Sequence, residues 1–189
     1  MLLKSLRLSL FISLFLAVII TACGSSESGS SPEEIFHKIT PSERVFTIND
    51  FDSINFKISK EYDVGGLTGA TAAWFGFWKP GGGDAKEFEI RFYASHTDAV
   101  EFGPSFADEG AGENAILEPE DARWNQGVKD RRYFFAGRIG THGSGSVQPK
   151  YGGYAIYGNM VMLCEGANPG HSLDRCAALA SAVDPQGSE

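Results

Sequence analysis

Histidine is scarce in this sequence and basic charge is in the minority. Four histidines, His37, His96, His142 and His171, are spread over 189 residues, and none lies near the cysteines at zinc-ligand spacing. No metal site is expected. There are 16 Lys+Arg against 24 Asp+Glu, a formal net charge of −8, and a nucleic-acid partner would need the reverse balance. Chemistry-bearing motifs are missing too. No G-x-S-x-G occurs, so there is no nucleophile elbow. The stretch Gly137 to Gly145 is rich in glycine but lacks the Gly-Lys-Ser/Thr ending and the helix of a phosphate-binding loop. No cofactor is implied. The chain has 23 Gly, 8 Pro and 12% aromatic residues with no low-complexity body, which excludes collagen-like, coiled-coil and wholly disordered proteins.

The clearest feature present is an N-terminal address. Lys4 and Arg7 precede an apolar run from Leu8 to Ile20 that only Ser9 and Ser13 interrupt. The run is shorter than the roughly 20 residues a membrane span needs and has the length of a secretory h-region. Directly after it stands Ile20-Thr21-Ala22-Cys23-Gly24. This order, branched aliphatic, small, small, Cys, resembles the bacterial lipobox. The resemblance implies that residues 1–22 are a lipoprotein signal peptide and that the Cys23 thiol receives a diacylglycerol. It further implies that the membrane is a partner through the N-terminal lipid. The exported domain would then sit on a cell membrane or outer membrane, in the periplasmic or extracellular space, and Gly24 after the Cys favours the outer membrane where there are two. An ordinary secretory cleavage site and an uncleaved anchor helix are the rival readings. Loss of Lys4 and Arg7 would take the net charge from −8 to −10.

Residues 23–34 read as the acylated Cys and a flexible tether, since Gly24 to Ser31 holds five Ser and two Gly. Residues 35–186 read as a single α+β domain. Ser31-Pro32-Glu33-Glu34 has the form of a helix start, which Pro41 would end within a couple of turns. A short helix behind Thr47 or Asn49 then passes into a strand in which Ile54, Phe56 and Ile58 alternate with polar residues. The aromatic run Ala73 to Trp78 and the alternating run Glu87 to Tyr93, joined by a Gly-rich loop, form a hairpin. Phe88, Ile90 and Phe92 should face the core, and Glu87, Glu89 and Arg91 water or a partner. Ser95 to Asp98 resembles a capping box for a helix that buries Ala99, Phe102 and Phe106, with Pro104 kinking or dividing it. Tyr154 to Tyr157 and Met160 to Leu163, around Gly158-Asn159, form a hairpin apolar on both faces. Ser172 can cap a last helix, and the tail from Asp184 on is dispensable. The sheet should be antiparallel with four or five strands and helices packed on one face.

Without Cys23, two cysteines remain, Cys164 and Cys176, and an exported chain would pair them, with a pair of buried free thiols as the rival reading. Such a bridge would stabilise by about 3 kcal/mol.

Three residues stand out as possible ligand-binding groups. Trp74 and Trp78 share one face of the aromatic strand with Gly76 leaving a gap between them, and could stack a sugar ring or an apolar ligand; a core strand buried on both faces is the competing explanation. His96 lies with Asp98 and Glu101 on one helix and could serve a hydrolase, but a capped helix start explains the same residues. Lys129, Arg131 and Arg132 read as a solvated basic face. Arg91 to Gly103 and Tyr157 to Glu165 resemble a pattern in small bacterial lipoproteins of unknown function, which implies an envelope location and an α+β domain and brings no catalytic residues. The expectation is a membrane-anchored envelope lipoprotein whose domain binds a protein or small-molecule partner. The rival functions are a hydrolase built on His96 and a carbohydrate or lipid binder built on Trp74 and Trp78.

Overall fold

The hairpin Tyr154 to Leu163 has apolar side chains on both faces and therefore has to be covered twice. The computed structural model describes residues 36–135 and 145–187, and they fall in one compact unit, Glu34–Glu189. Its strands are β1 (Ile39–Thr40), β2 (Lys57–Tyr62), β3 (Ala70–Trp78), β4 (Lys86–Tyr93), β5 (Arg132–Phe135), β6 (Ser146–Pro149), β7 (Tyr151–Tyr157) and β8 (Met160–Glu165). Helix α1 is His96–Asp108 and helix α2 is Pro169–Val183. Six strands form one sheet in the order β1-β7-β8-β4-β3-β2, and β5 pairs with β6 separately. The hairpin register is as the sequence requires, with Ile156 opposite Val161 and Tyr154 opposite Leu163.

The fold is α+β, but the main sheet is larger than expected and mixed, because β1 runs parallel to β7. Nor do the helices share a face. Met160, Met162 and Cys164 pack with Cys176, Leu179 and Ala180 of α2. Val161 and Leu163, which point the other way, pack with Ala99 and Ala107 of α1. Two apolar faces take one helix each. The described strands and helices and all three apolar clusters lie within Glu34–Glu189, so this segment has what it needs to fold by itself.

Several local expectations change. Ile39–Thr40 is a strand, not the end of a helix; the expected start at Ser31, like the signal peptide, Cys23 and the tether, lies outside the described residues. The short helix is the 3-10 helix Ile48–Ile54, opened by Thr47, whose N–H and hydroxyl both donate to Asp50 Oδ2 at 2.8 and 3.1 Å. A bulge between Ile58 and Lys60 interrupts β2, and Ile58 is exposed while Phe56 is buried. Helix α1 begins at Ser95 as expected and runs through Pro104 as one element, held by Ala99, Gly103, Phe106 and Ala107 on its buried face. Helix α2 starts one turn before Ser172: Asn168 caps it, accepting from His171 N–H at 2.9 Å, and Pro169 opens the first turn. The Ser172 hydroxyl instead donates to the Cys164 carbonyl at 2.8 Å. Asp184 is not dispensable, since it accepts from Tyr157 Oη at 2.9 Å and pairs with Arg44 at 3.1 Å.

The Gly158-Asn159 turn does more than reverse the chain. Gly158 has φ +53° and a Cβ there would stand 2.9 Å from the Phe46 ring. Asn159 is buried; its Oδ1 accepts from Phe46 N–H, and its Nδ2 donates to the Phe46 and Tyr93 carbonyls. One side chain thus ties the segment before the 3-10 helix, the end of β4 and the hairpin.

Cys164 and Cys176 are joined by a disulfide with a Cα to Cα distance of 5.8 Å, and both residues are fully buried. It links the end of β8 to the middle of α2.

Candidate functional site

The two indoles on β3 have different surroundings. Trp74 is half-buried against the main apolar cluster, and its Nε1 is enclosed without a hydrogen-bond partner. Trp78 lies at the strand's end, its Nε1 donating to the Ile54 carbonyl at 3.1 Å and its ring 6.3 Å from that of Phe88. The gap expected over Gly76 is filled: a Cβ there would be 2.3 Å from Phe56 Cε1 and 2.6 Å from the Lys57 carbonyl. The 3-10 helix places Phe56 there, so no open platform joins the two indoles. Phe75 and Phe77 point to the opposite face, 5.2 Å apart.

His96 is the first residue of α1, and its Nδ1 lies 2.8 Å from the Gly158 carbonyl. A carbonyl only accepts, so that nitrogen carries the proton. The nearby carboxylate, Asp98, accepts from the Ser95 hydroxyl at 2.7 Å and is engaged at the helix cap. Among the described residues no group of three or more His, Cys, Asp and Glu side chains could hold a metal ion.

The largest departure from expectation is on β4. Glu89 and Arg91, expected to face water or a partner, are fully buried, as is Arg131 from the supposed solvated basic face. Arg131 Nε donates to Glu89 Oε2 at 2.8 Å and its Nη2 to Oε1 at 3.0 Å. Arg91 Nε donates to Glu89 Oε1 at 2.7 Å. Arg91 Nη2 is also 2.7 Å from that oxygen but out of line, so Nη1 and Nη2 both lack a hydrogen-bond partner. The Trp124 ring lies 5.0 Å from each guanidinium carbon. Burial pushes the Glu89 carboxyl up, but Arg131 and Arg91 outweigh it and hold it below the usual range. Burial lowers Arg91, whereas for Arg131 the Glu89 charge prevails over burial and raises it. One anion serves two cations. The Tyr93 and Tyr151 hydroxyls, also buried, have no hydrogen-bond partner among the described residues, and burial raises both phenols.

Clefts on the described surface include four with volumes from about 300 to about 560 Å³. Three contain carboxylates: Glu61 and Asp130 beside Tyr62, Glu165 beside His171 and Arg175, and Asp108 beside Tyr154. The fourth, about 310 Å³, is lined by Ile54, Asn55, Lys57, Phe77, Trp78, Lys79 and Ala85. It lies where the 3-10 helix hands over to β2 and β3 ends, and no acid lines it. Lys57 and Lys79 have no ion-pair partner among the described residues. Trp78 alone of the expected ligand-binding residues lines one of these four clefts; Trp74 and His96 do not.

Strict alternation in β4 signals one wet face and conceals Glu89 and Arg91. A usable signal was the hairpin, whose two apolar faces require layers on both sides of a sheet in which β4 pairs directly with β8.

Residues 47–185 match the family described as "Family of unknown function (DUF6810)", and the chain belongs to that family. No curated protein and no solved structure matches it.

Proposed function

We propose that this chain is an exported lipoprotein, anchored to a membrane of the cell envelope through an acylated Cys23, whose domain binds a small-molecule or protein partner rather than catalysing a reaction. The observation that carries export is the buried Cys164–Cys176 disulfide, because such bridges persist in oxidising compartments and are rare in a reducing cytosol. The short apolar run Leu8 to Ile20 ahead of Cys23 supports the address and the Ser/Gly stretch after Cys23 the tether. Family-matched residues begin at 47, beyond both. Two acyl chains suffice for stable attachment where one does not, and no described helix is long and apolar enough to cross a membrane. On the domain, the Trp78 cleft has the make-up of a ligand site, an apolar lining with a few polar groups at the rim.

Metabolic labelling with an alkyne fatty acid, followed by membrane fractionation, tests the anchor. The intact chain should incorporate label and sediment with membranes, and Cys23→Ala should do neither. Label retained by Cys23→Ala would refute the assignment.

A further inference from the structure

We propose that the Trp78 cleft binds a small amphiphile with a single anionic head, its apolar part against Trp78, Ile54 and Ala85 and its head near Lys57 and Lys79. This rests on the reading of the domain as a ligand-binding module and names the class of ligand.

Charge decides the class. The chain carries 24 acids against 16 bases, yet the cleft presents two lysines and no carboxylate. Both ammonium groups lack an ion-pair partner among the described residues, whereas Lys60, Lys86 and Lys150 are paired with Asp130, Glu165 and Glu87; Lys38 and Lys129 are also unpaired, but the clefts they line hold carboxylates. An anion entering the cleft is attracted by two lysines and displaces no internal ion-pair partner. A cation would be repelled, and a neutral head would leave the lysines unused.

The lining decides the rest of the ligand. Trp78 Nε1 is already committed to the Ile54 carbonyl, so the indole offers apolar surface and no donor. Asn55, exposed and in the left-handed conformation at the end of the 3-10 helix, adds an amide beside the lysines. A volume of about 310 Å³ lies at the small end of the roughly 300 to 1,000 Å³ range of ligand pockets. That suits a medium-chain amphiphile and is too small for a two-chain lipid.

Decanoate, kept well below its micelle-forming concentration, is the probe, titrated into the segment 34–189 with n-octyl glucoside as the neutral-headed control. The readouts are the binding isotherm and the Trp78 indole N–H resonance. The expected result is saturable binding of decanoate at one site, a shift of that resonance, and at least tenfold weaker binding in Lys57→Glu/Lys79→Glu. Both lysines are exposed, so the urea midpoint should not move. Octyl glucoside binding as tightly as decanoate, or indifference to the charge reversal, would overturn the anionic-head class and leave the cleft a ligand site. Absence of binding by either compound would overturn the ligand-site reading with it.

Discussion

Replacing Glu89 by Gln should be far more damaging than replacing Arg91 by Met, although both residues sit in the same buried cluster. Glu89 is the only anion among the three charges and accepts from Arg91 Nε, Arg131 Nε and Arg131 Nη2. Glu89→Gln leaves two guanidiniums out of water with no countercharge between them. Removing one partner of a buried ion pair costs about 3 to 5 kcal/mol, a large share of the roughly 5 to 15 kcal/mol by which domains are stable. Arg91→Met leaves Glu89 and Arg131 as a balanced, doubly hydrogen-bonded pair. It also removes two buried Nη groups that have no hydrogen-bond partner among the described residues. A swap that roughly conserves volume should then cost less than about 1.5 kcal/mol. Urea unfolding at neutral pH without reductant, followed by tryptophan fluorescence, measures both. Equal costs for the two variants, or a Glu89→Gln cost below about 1 kcal/mol, would refute the claim that Glu89 neutralises this cluster. Its pH dependence has a fixed sign. Because the folded Glu89 is held below its ordinary value of 4.5, its contribution is complete above that value and is lost as pH falls through the folded one. Between those two values the wild type should lose stability more steeply than Glu89→Gln.

Other substitutions probe the frame. Gly76→Ala drives a Cβ to 2.3 Å from the Phe56 ring and 2.6 Å from a backbone carbonyl, and should cost about 1 to 3 kcal/mol, read as a lowered urea midpoint. Asn159→Ala loses three hydrogen bonds to backbone groups and should cost about 3 kcal/mol at about 1 kcal/mol each; hydrogen exchange at the Phe46 amide should accelerate with it. Cys164→Ala/Cys176→Ala should lower stability by about 3 kcal/mol on the loop-entropy argument, seen as a lower melting temperature in the absence of reductant. In alkaline spectrophotometric titration, Tyr154, pushed up to about 12 by burial and by Asp108, should ionise late. Folded-state phenols raised in this way make stability fall once pH passes the ordinary tyrosine value of 10.0.

Legibility in the sequence followed the range of each signal. Hairpin register, the Ser95 start of α1 and the cysteine pairing depend on neighbours a few residues apart or on arithmetic that allows one answer, and each is found in the structure. What escaped depends on tertiary cover. Arg131 looks solvated because its neighbours Lys129 and Arg132 are polar, yet it reaches Glu89 across 42 positions. Strand β1 has two residues, too few for any periodicity, and its parallel pairing with β7 bridges more than 100 positions. Gly76 invited a gap because nothing local announces that Phe56 will fill it. Trp78 stands out by its aromatic run, whereas Lys57 and Lys79, which line the same cleft, belong to no motif.

The way β1 and Asn159 are attached also sets how the domain would bear a mechanical load. A pull on the chain upstream of Phe36 is carried first by β1, which is flanked by main-chain bonds from Ile156 N to Lys38 O and from Gly158 N, in the turn after β7, to Thr40 O. If β1 peels away, tension passes along 41–45 to Phe46, where Asn159 grips the backbone from both sides. The hairpin interior and the disulfide-linked helix lie beyond that grip. A domain tethered by its N-terminus would thus yield in two steps, a short edge strand acting as a fuse and a single buried asparagine as the stop behind it.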